Sequence, residues 1–226
     1  MQRLFTFLLI LALPVCAEDS IPEVWWVFLN RGPSKAPLSN EDRQKYQAAH
    51  VGNFGTQYKA GKLIMAGPLG DNGFIRGIVA LTVKTKAEAL AVFKDDPLVQ
   101  HDYLAVEIYP TRLDRSRIKP ATEPFKLGQY ALGIVKRGPQ WQPLARAPKP
   151  DTLLQLVPTL KKLDESGDLA FVGAFLDSDQ LVGVAMFRHG DLAKLKAALD
   201  GDESVKGGRV VFELHPQLLA DGSLAK

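Results

Sequence analysis

The sequence predicts an α+β protein built from two tandem ferredoxin-like units, each β-α-β-β-α-β, packed as an intramolecular pseudo-dimeric α/β barrel. Three observations carry this expectation. The chain repeats itself at a spacing of 106 residues. Each copy reads as the same order of strands and helices. The first strand of the first copy is apolar at every position, so neither of its faces suits water.

The repeat comes first because a missed period misassigns a whole fold. Residues 24–110 and 130–216 align without a gap and share 17 identities in 87 positions. Chance at an ordinary composition gives roughly 5 or 6. Arg31-Gly32-Pro33 meets Arg137-Gly138-Pro139, and Pro37-Leu38 meets Pro143-Leu144. Gly61, Gly67, Asp71, Gly77, Asp96, Glu107 and Pro110 meet Gly167, Gly173, Asp177, Gly183, Asp202, Glu213 and Pro216. Turn glycines and prolines in one constant register mark a duplicated unit.

In the first copy, residues 24–29 are a buried strand. A Gly/Pro loop leads to Ser39-Asn40-Glu41-Asp42, whose hydroxyl and carboxylates suit the free N–H groups of a helix start. That helix runs to about residue 60 and stops at Gly61. Residues 63–66 form a second strand, 70–73 a turn and 75–83 a third strand. Thr85 and Glu88 open a second helix that ends near Asp95. Residues 103–109 alternate loosely as a fourth strand. The second copy places strands at 130–135, 169–175, 182–187 and 209–214, with helices near 152–165 and 191–199. Leu153, Leu156, Val157, Leu160 and Leu163 form an apolar stripe on its first helix. The expected domains are therefore 22–111 and 129–217. The stretch 112–128 between them, with Arg112, Arg115, Arg117 and Lys119, reads as a solvated basic, Pro-containing connector. A ferredoxin-like unit leaves one sheet face bare, and two such units can cover each other. A monomer is expected on that ground.

Composition narrows the function classes. Lys plus Arg total 28 against 25 acidic residues, a net charge of +3 with no basic run, so nucleic acid is not an expected partner. Residues 1–17 read as a secretory signal peptide: Arg3, an apolar stretch from Leu4, a break at Pro14 and small residues before Glu18. Periplasmic or secreted location follows, with no membrane attachment after cleavage. Lipid attachment at Cys16 is the rival, and Val15 suits it poorly. Cys16 is the single cysteine, so the mature part has no disulfide and no thiol nucleophile. No metal site is expected, because no two of the four histidines stand at helical i, i+4 spacing. No cofactor motif is found.

Ala66-Gly67-Pro68-Leu69 followed by Asp71, Asn72, Gly73 and Gly77 resembles the central motif of the YCII-related (YciI-like) family. So does Asp96-Pro97-Leu98-Val99 before a last strand, with a histidine, His50, on the first helix. The resemblance covers nearly all of 24–110 and, more weakly, 130–216. It implies the dimeric α/β-barrel superfamily, similar in fold to muconolactone isomerases. Related proteins include dehydrochlorinases of hydroxylated aromatic rings, and most members have no assigned reaction. It also implies a His–Asp active pair, by motif His50 and Asp96.

The residues alone leave two readings of His50. Beside Tyr46, Phe54 and Tyr58 it can pair with a carboxylate and move a proton near neutral pH, or it can pack in the core. Asp96 recurs as Asp202 where the second copy has Leu156 in place of histidine, so part of its work is expected to be structural. His101, Tyr46 and Tyr58 are further ligand-binding candidates. His189 and His215 read as surface residues. The ligand cleft is expected beside His50, with Leu156 packed. Two function classes stay open: an enzyme of cofactor-free isomerisation or elimination on a small molecule, and a non-enzymatic binding or accessory domain.

Overall fold

The computed structural model describes residues 22–121, 125–144 and 146–225; the signal-peptide reading at 1–17 lies outside them. The first copy holds strands β1 (Val24–Arg31), β2 (Leu63–Pro68), β3 (Ile75–Leu81) and β4 (Leu104–Leu113). Its helices are α1 (Asn40–Lys59), α2 (Lys86–Ala91) and the one-turn α3 (Pro97–Gln100). The second copy holds β5 (Leu127–Arg137), β6 (Leu169–Phe175), β7 (Leu181–Phe187) and β8 (Val210–Ala220). Its helices are α4 (Pro150–Leu156), α5 (Pro158–Glu165), α6 (Leu192–Asp200) and α7 (Glu203–Lys206). α1 starts where expected: Ser39 Oγ accepts the Asp42 N–H at 3.0 Å. Gly61 follows it at φ +69°, as Gly167 follows α5 at φ +79°.

The eight strands form one antiparallel sheet in the order β2-β3-β1-β4-β6-β7-β5-β8. Two seams join the copies, and the 106-residue shift maps one onto the other. At the first, Thr111 pairs with Phe175, and Leu176 N–H donates to the Pro110 carbonyl at 2.8 Å. At the second, Gln217 pairs with Leu69, and Gly70 N–H donates to the Pro216 carbonyl at 2.8 Å. The second seam closes the sheet into a barrel.

Alternation along β1 explains its unbroken apolar run. Trp26 and Phe28 point into the barrel, meeting Phe171 and Phe175 edge-to-face at 6.3 and 6.2 Å. Trp25, Val27 and Leu29 point outward, into a core with Val79, Leu81, Ala89 and Phe93. The equivalent outer core of the second copy is built on Leu153, Leu156, Leu160, Phe187, Leu195 and Leu199.

Three sequence expectations change. The helix expected over 152–165 breaks at Val157, because Pro158 has no N–H to continue it. β4 and β8 run to Leu113 and Ala220, beyond the expected 109 and 214. The β4 extension pairs with β6 of the other copy, and the β8 extension pairs with β5 and bridges Leu69 of the other copy at Gln217. The connector is correspondingly shorter and less wet. Residues 111–113 belong to β4, Arg112 is buried, and Arg117 pairs with Asp164 at 2.9 Å.

Candidate functional site

Helix α1 carries His50 over the sheet, and α3 brings Asp96 to it. His50 Nδ1 lies 2.5 Å from Asp96 Oδ2, with the histidine side chain 10% exposed and the aspartate fully buried. The carboxylate makes Nδ1 the protonated nitrogen and leaves Nε2 as the one that could exchange a proton. Asp96 is also the N-cap of α3, its Oδ1 accepting the Leu98 N–H at 3.0 Å. The Phe54 ring lies 4.4 Å from the His50 ring. Tyr46 stacks on His101 at 5.0 Å, nearly parallel, one turn before His50. Tyr46, His50, Asp96 and His101 thus share the α1–α3 junction. Tyr58 does not: its hydroxyl donates to the Ala121 carbonyl at 3.2 Å, tying α1 to the connector.

The second copy does the same job with backbone. Asp202 caps α7, accepting the Ser204 N–H at 2.9 Å. Its other oxygen accepts the Thr159 N–H at 2.8 Å, a donor freed by the break before α5. Leu156, in the place of His50, packs at 7% exposure. In both copies, then, one buried aspartate ties the long helical segment to the short one.

The two best-formed clefts among the described residues do not lie beside His50, where the ligand cleft is expected. The larger cleft, about 430 Å³, is in the second copy, among Arg137, Trp141, Pro148, Phe175 and Leu181. The smaller, about 320 Å³, is lined by Lys86, Leu90, Glu107, Tyr109 and Asp177. Neither is lined by His50. Phe54 packs against the imidazole, its ring 4.4 Å away.

His215 is a second correction: it is not on the surface but 6% exposed. Its Nδ1 lies 2.5 Å from Asp71 Oδ2 and its Nε2 3.1 Å from Glu213 Oε1. Glu213 also pairs with Lys136. The cluster sits on the β2–β8 seam and joins the Asp71 turn of one copy to the last strand of the other. The 106-residue register places Tyr109, Glu107 and Asn30 at the equivalent points. There Tyr109 donates to Glu107, and Asn30 Nδ2 donates to Glu107 at 2.9 Å. Charge within each copy could not reveal this cluster; only the Asp71–Asp177 identity hinted at it. His189 is exposed, with Asp168 at 3.5 Å.

Burial pushes the Asp71 carboxyl up, but the hydrogen bonds from His215 and the Gly73 N–H, with the His215 charge, leave it below the usual carboxylate range. Glu213 is lowered in the same way: burial raises it, and the Lys136 bond and charge outweigh that. Carboxyls lowered on folding stabilise the protein above their unfolded range, and that contribution disappears as the pH falls through the folded values. The thermal midpoint is therefore expected to drop as pH falls below about 4.5, the ordinary glutamate value. An Asp71→Asn, Glu213→Gln double variant should lose less of its own midpoint over the same interval. Parallel curves for the two proteins, followed by circular dichroism, would remove the seam from acid sensitivity. Tyr109 is held well above the usual phenol range, by burial and then by Glu107.

Residues 25–112 match the model of the YCII-related domain. No curated protein matches the chain. Among solved structures, a chlorite dismutase variant from Candidatus Nitrospira defluvii is similar at 12% identity and TM-score 0.56, over 88% of this chain and 92% of that one. A heme-binding protein from Thermus thermophilus is similar at 14% identity and TM-score 0.50, over 89% and 95%. At these identities the likeness is one of fold: duplicated ferredoxin-like units in an α/β barrel.

Proposed function

We propose that this chain, whose residues 25–112 match the YCII-related domain, is exported and carries out cofactor-free acid/base chemistry on a small molecule, with His50 as base and Asp96 as its orienter. The observation that supports this is the 2.5 Å contact between His50 Nδ1 and a fully buried Asp96. A carboxylate so placed holds the tautomer and stabilises the imidazolium that forms when Nε2 takes a proton. An activated C–H beside a carbonyl or on a hydroxylated ring is a suitable proton source. Returning the proton to another carbon is isomerisation; expelling a leaving group from the neighbouring carbon is elimination. Tyr46 and His101 stand nearest to the pair as residues that could hold the substrate.

Heme, bound by one of the similar structures, does not fit the donors here. Neither cleft is lined by histidine, cysteine or methionine, and Tyr109, in the smaller, is bound to Glu107.

The test is solvent-deuterium exchange into enolisable lactones and ketones, followed by proton NMR, with wild type beside His50→Gln. The expected result is a loss of about 100-fold or more in exchange rate, measured below the unfolding midpoint of each protein. Equal exchange by the two proteins, or none by either, would overturn the assignment. One observation favours the second class, a binding domain without turnover: the larger cleft lies away from His50.

A further inference from the structure

We infer that the larger cleft, in the second copy, binds a small organic anion with a flat apolar body, such as an aromatic carboxylate or sulfonate. This goes beyond the His50–Asp96 reading and does not depend on it. At about 430 Å³ the cleft is of the size of small-ligand sites. It exists because the two copies begin their first helix at different points. α1 starts at Asn40, which the register equates with position 146, yet α4 starts only at Pro150. One turn of helix is missing. Pro148 and Pro150 oppose helix there, since a proline disfavours helical geometry in the residue before it, and Lys149 is extended at φ −123°, ψ 165°. The space that α1's first turn takes in the first copy is left open in the second.

The lining defines the ligand. Trp141, Pro143, Leu144, Pro148, Leu181 and Val182 give apolar walls. Arg137 and Arg146 are its only charged residues, and no carboxylate lines it. In the first copy the register puts Glu41 and Asp42 at the positions of Ala147 and Pro148, so the acids that would repel an anion are absent only here. Arg137 is held in place twice. It donates to the Ser178 carbonyl at 2.6 Å, and its guanidinium lies 5.4 Å from the Trp141 ring centroid. The first of these contacts is shared with Arg31, which donates to the Asn72 carbonyl at 2.9 Å. The second is not, because Lys35 stands where Trp141 does. A guanidinium fixed at two points has already lost part of its freedom before an anion arrives, so binding costs less order. An aromatic body can then lie along Trp141 while its acidic group reaches Arg137 and Arg146.

The test titrates naphthalene-2-sulfonate, with neutral 2-naphthalenemethanol as control, into the folded protein and reads the Trp141 indole N–H by NMR. The sulfonate is expected to shift that signal saturably and to bind at least about fivefold more tightly than the neutral control. Arg146→Gln, at an exposed residue with no hydrogen bond or ion pair among the described residues, should weaken sulfonate binding about fivefold and leave the control unchanged. Trp141→Ala should weaken both, and His50→Gln neither. Absence of saturable binding, equal affinity for the two probes, indifference to Arg146→Gln, or shifts centred on α1 would each overturn the proposal. A loss of lactone exchange in His50→Gln with this binding intact separates the two sites.

Discussion

Asp96→Ala is expected to lower unfolding free energy by about 4 kcal/mol, measured by chemical denaturation. Two losses add. The Leu98 N–H loses its cap, and His50 is stranded with a buried, unpaired Nδ1. His50 is also the only buried residue of the 20-residue α1, so the helix has little else of comparable burial to hold it down. Asp202→Ala should cost less, about 2–3 kcal/mol, because it frees two backbone N–H groups and no side chain. The double variant His50→Leu, Asp96→Ala should regain part of the loss. It removes both members of the buried pair and copies Leu156, which packs well at the equivalent point. A cost below about 1 kcal/mol for Asp96→Ala would show that the carboxylate does not tie α1 down. A structural role of this size does not compete with the proposed one: an imidazole held this firmly is preorganised.

The repeat is legible because its identities are structural. Arg31 and Arg137 each donate to a turn carbonyl, of Asn72 and Ser178. A Cβ on Gly32 or Gly138 would lie 2.0 or 2.2 Å from the carbonyl oxygen of residue 102 or 208, so the Arg-Gly-Pro motif of both copies records a close crossing of backbones. Pro110 and Pro216 supply the seam carbonyls. The His50–Asp96 pair is legible through the family motif, since nothing in the spacing of residues 50 and 96 brings them together. The larger cleft is not legible. It arises from a helix turn that is absent, and a gap between elements has no residue pattern of its own. The surface reading of His215 fails for a related reason: its partner Asp71 is 144 residues away in the other copy, and charge pairing across a seam leaves no local signature.

Gly67→Val is expected to cost about 3 kcal/mol and to change the association state as well. A Cβ at Gly67 would lie 1.9 Å from the Leu218 carbonyl oxygen and 3.0 Å from Gln217 Nε2. The nearest atom is backbone of β8, so the side chain cannot be accommodated by a rotamer change; the β2–β8 seam has to part. The equivalent Gly173, at the other seam, meets the Thr111 and Val184 methyls at 3.1 Å and its nearest backbone atom, the Arg112 carbonyl oxygen, only at 3.9 Å, and Gly173→Ala should cost clearly less. The seam matters beyond its own bonds, because it closes the barrel over Trp26, Phe28, Phe171 and Met186. Exposing that surface gives a second chain something to cover, and exchange of equivalent units between chains covers it with contacts the fold already has. Sedimentation should therefore show the wild-type protein at the mass of one chain, and Gly67→Val as a concentration-dependent mixture with dimer. A wild-type protein already dimeric at low concentration would mean that the two copies do not satisfy each other, and a monomeric Gly67→Val of full stability would mean that the seam can yield at Leu218 without opening the barrel.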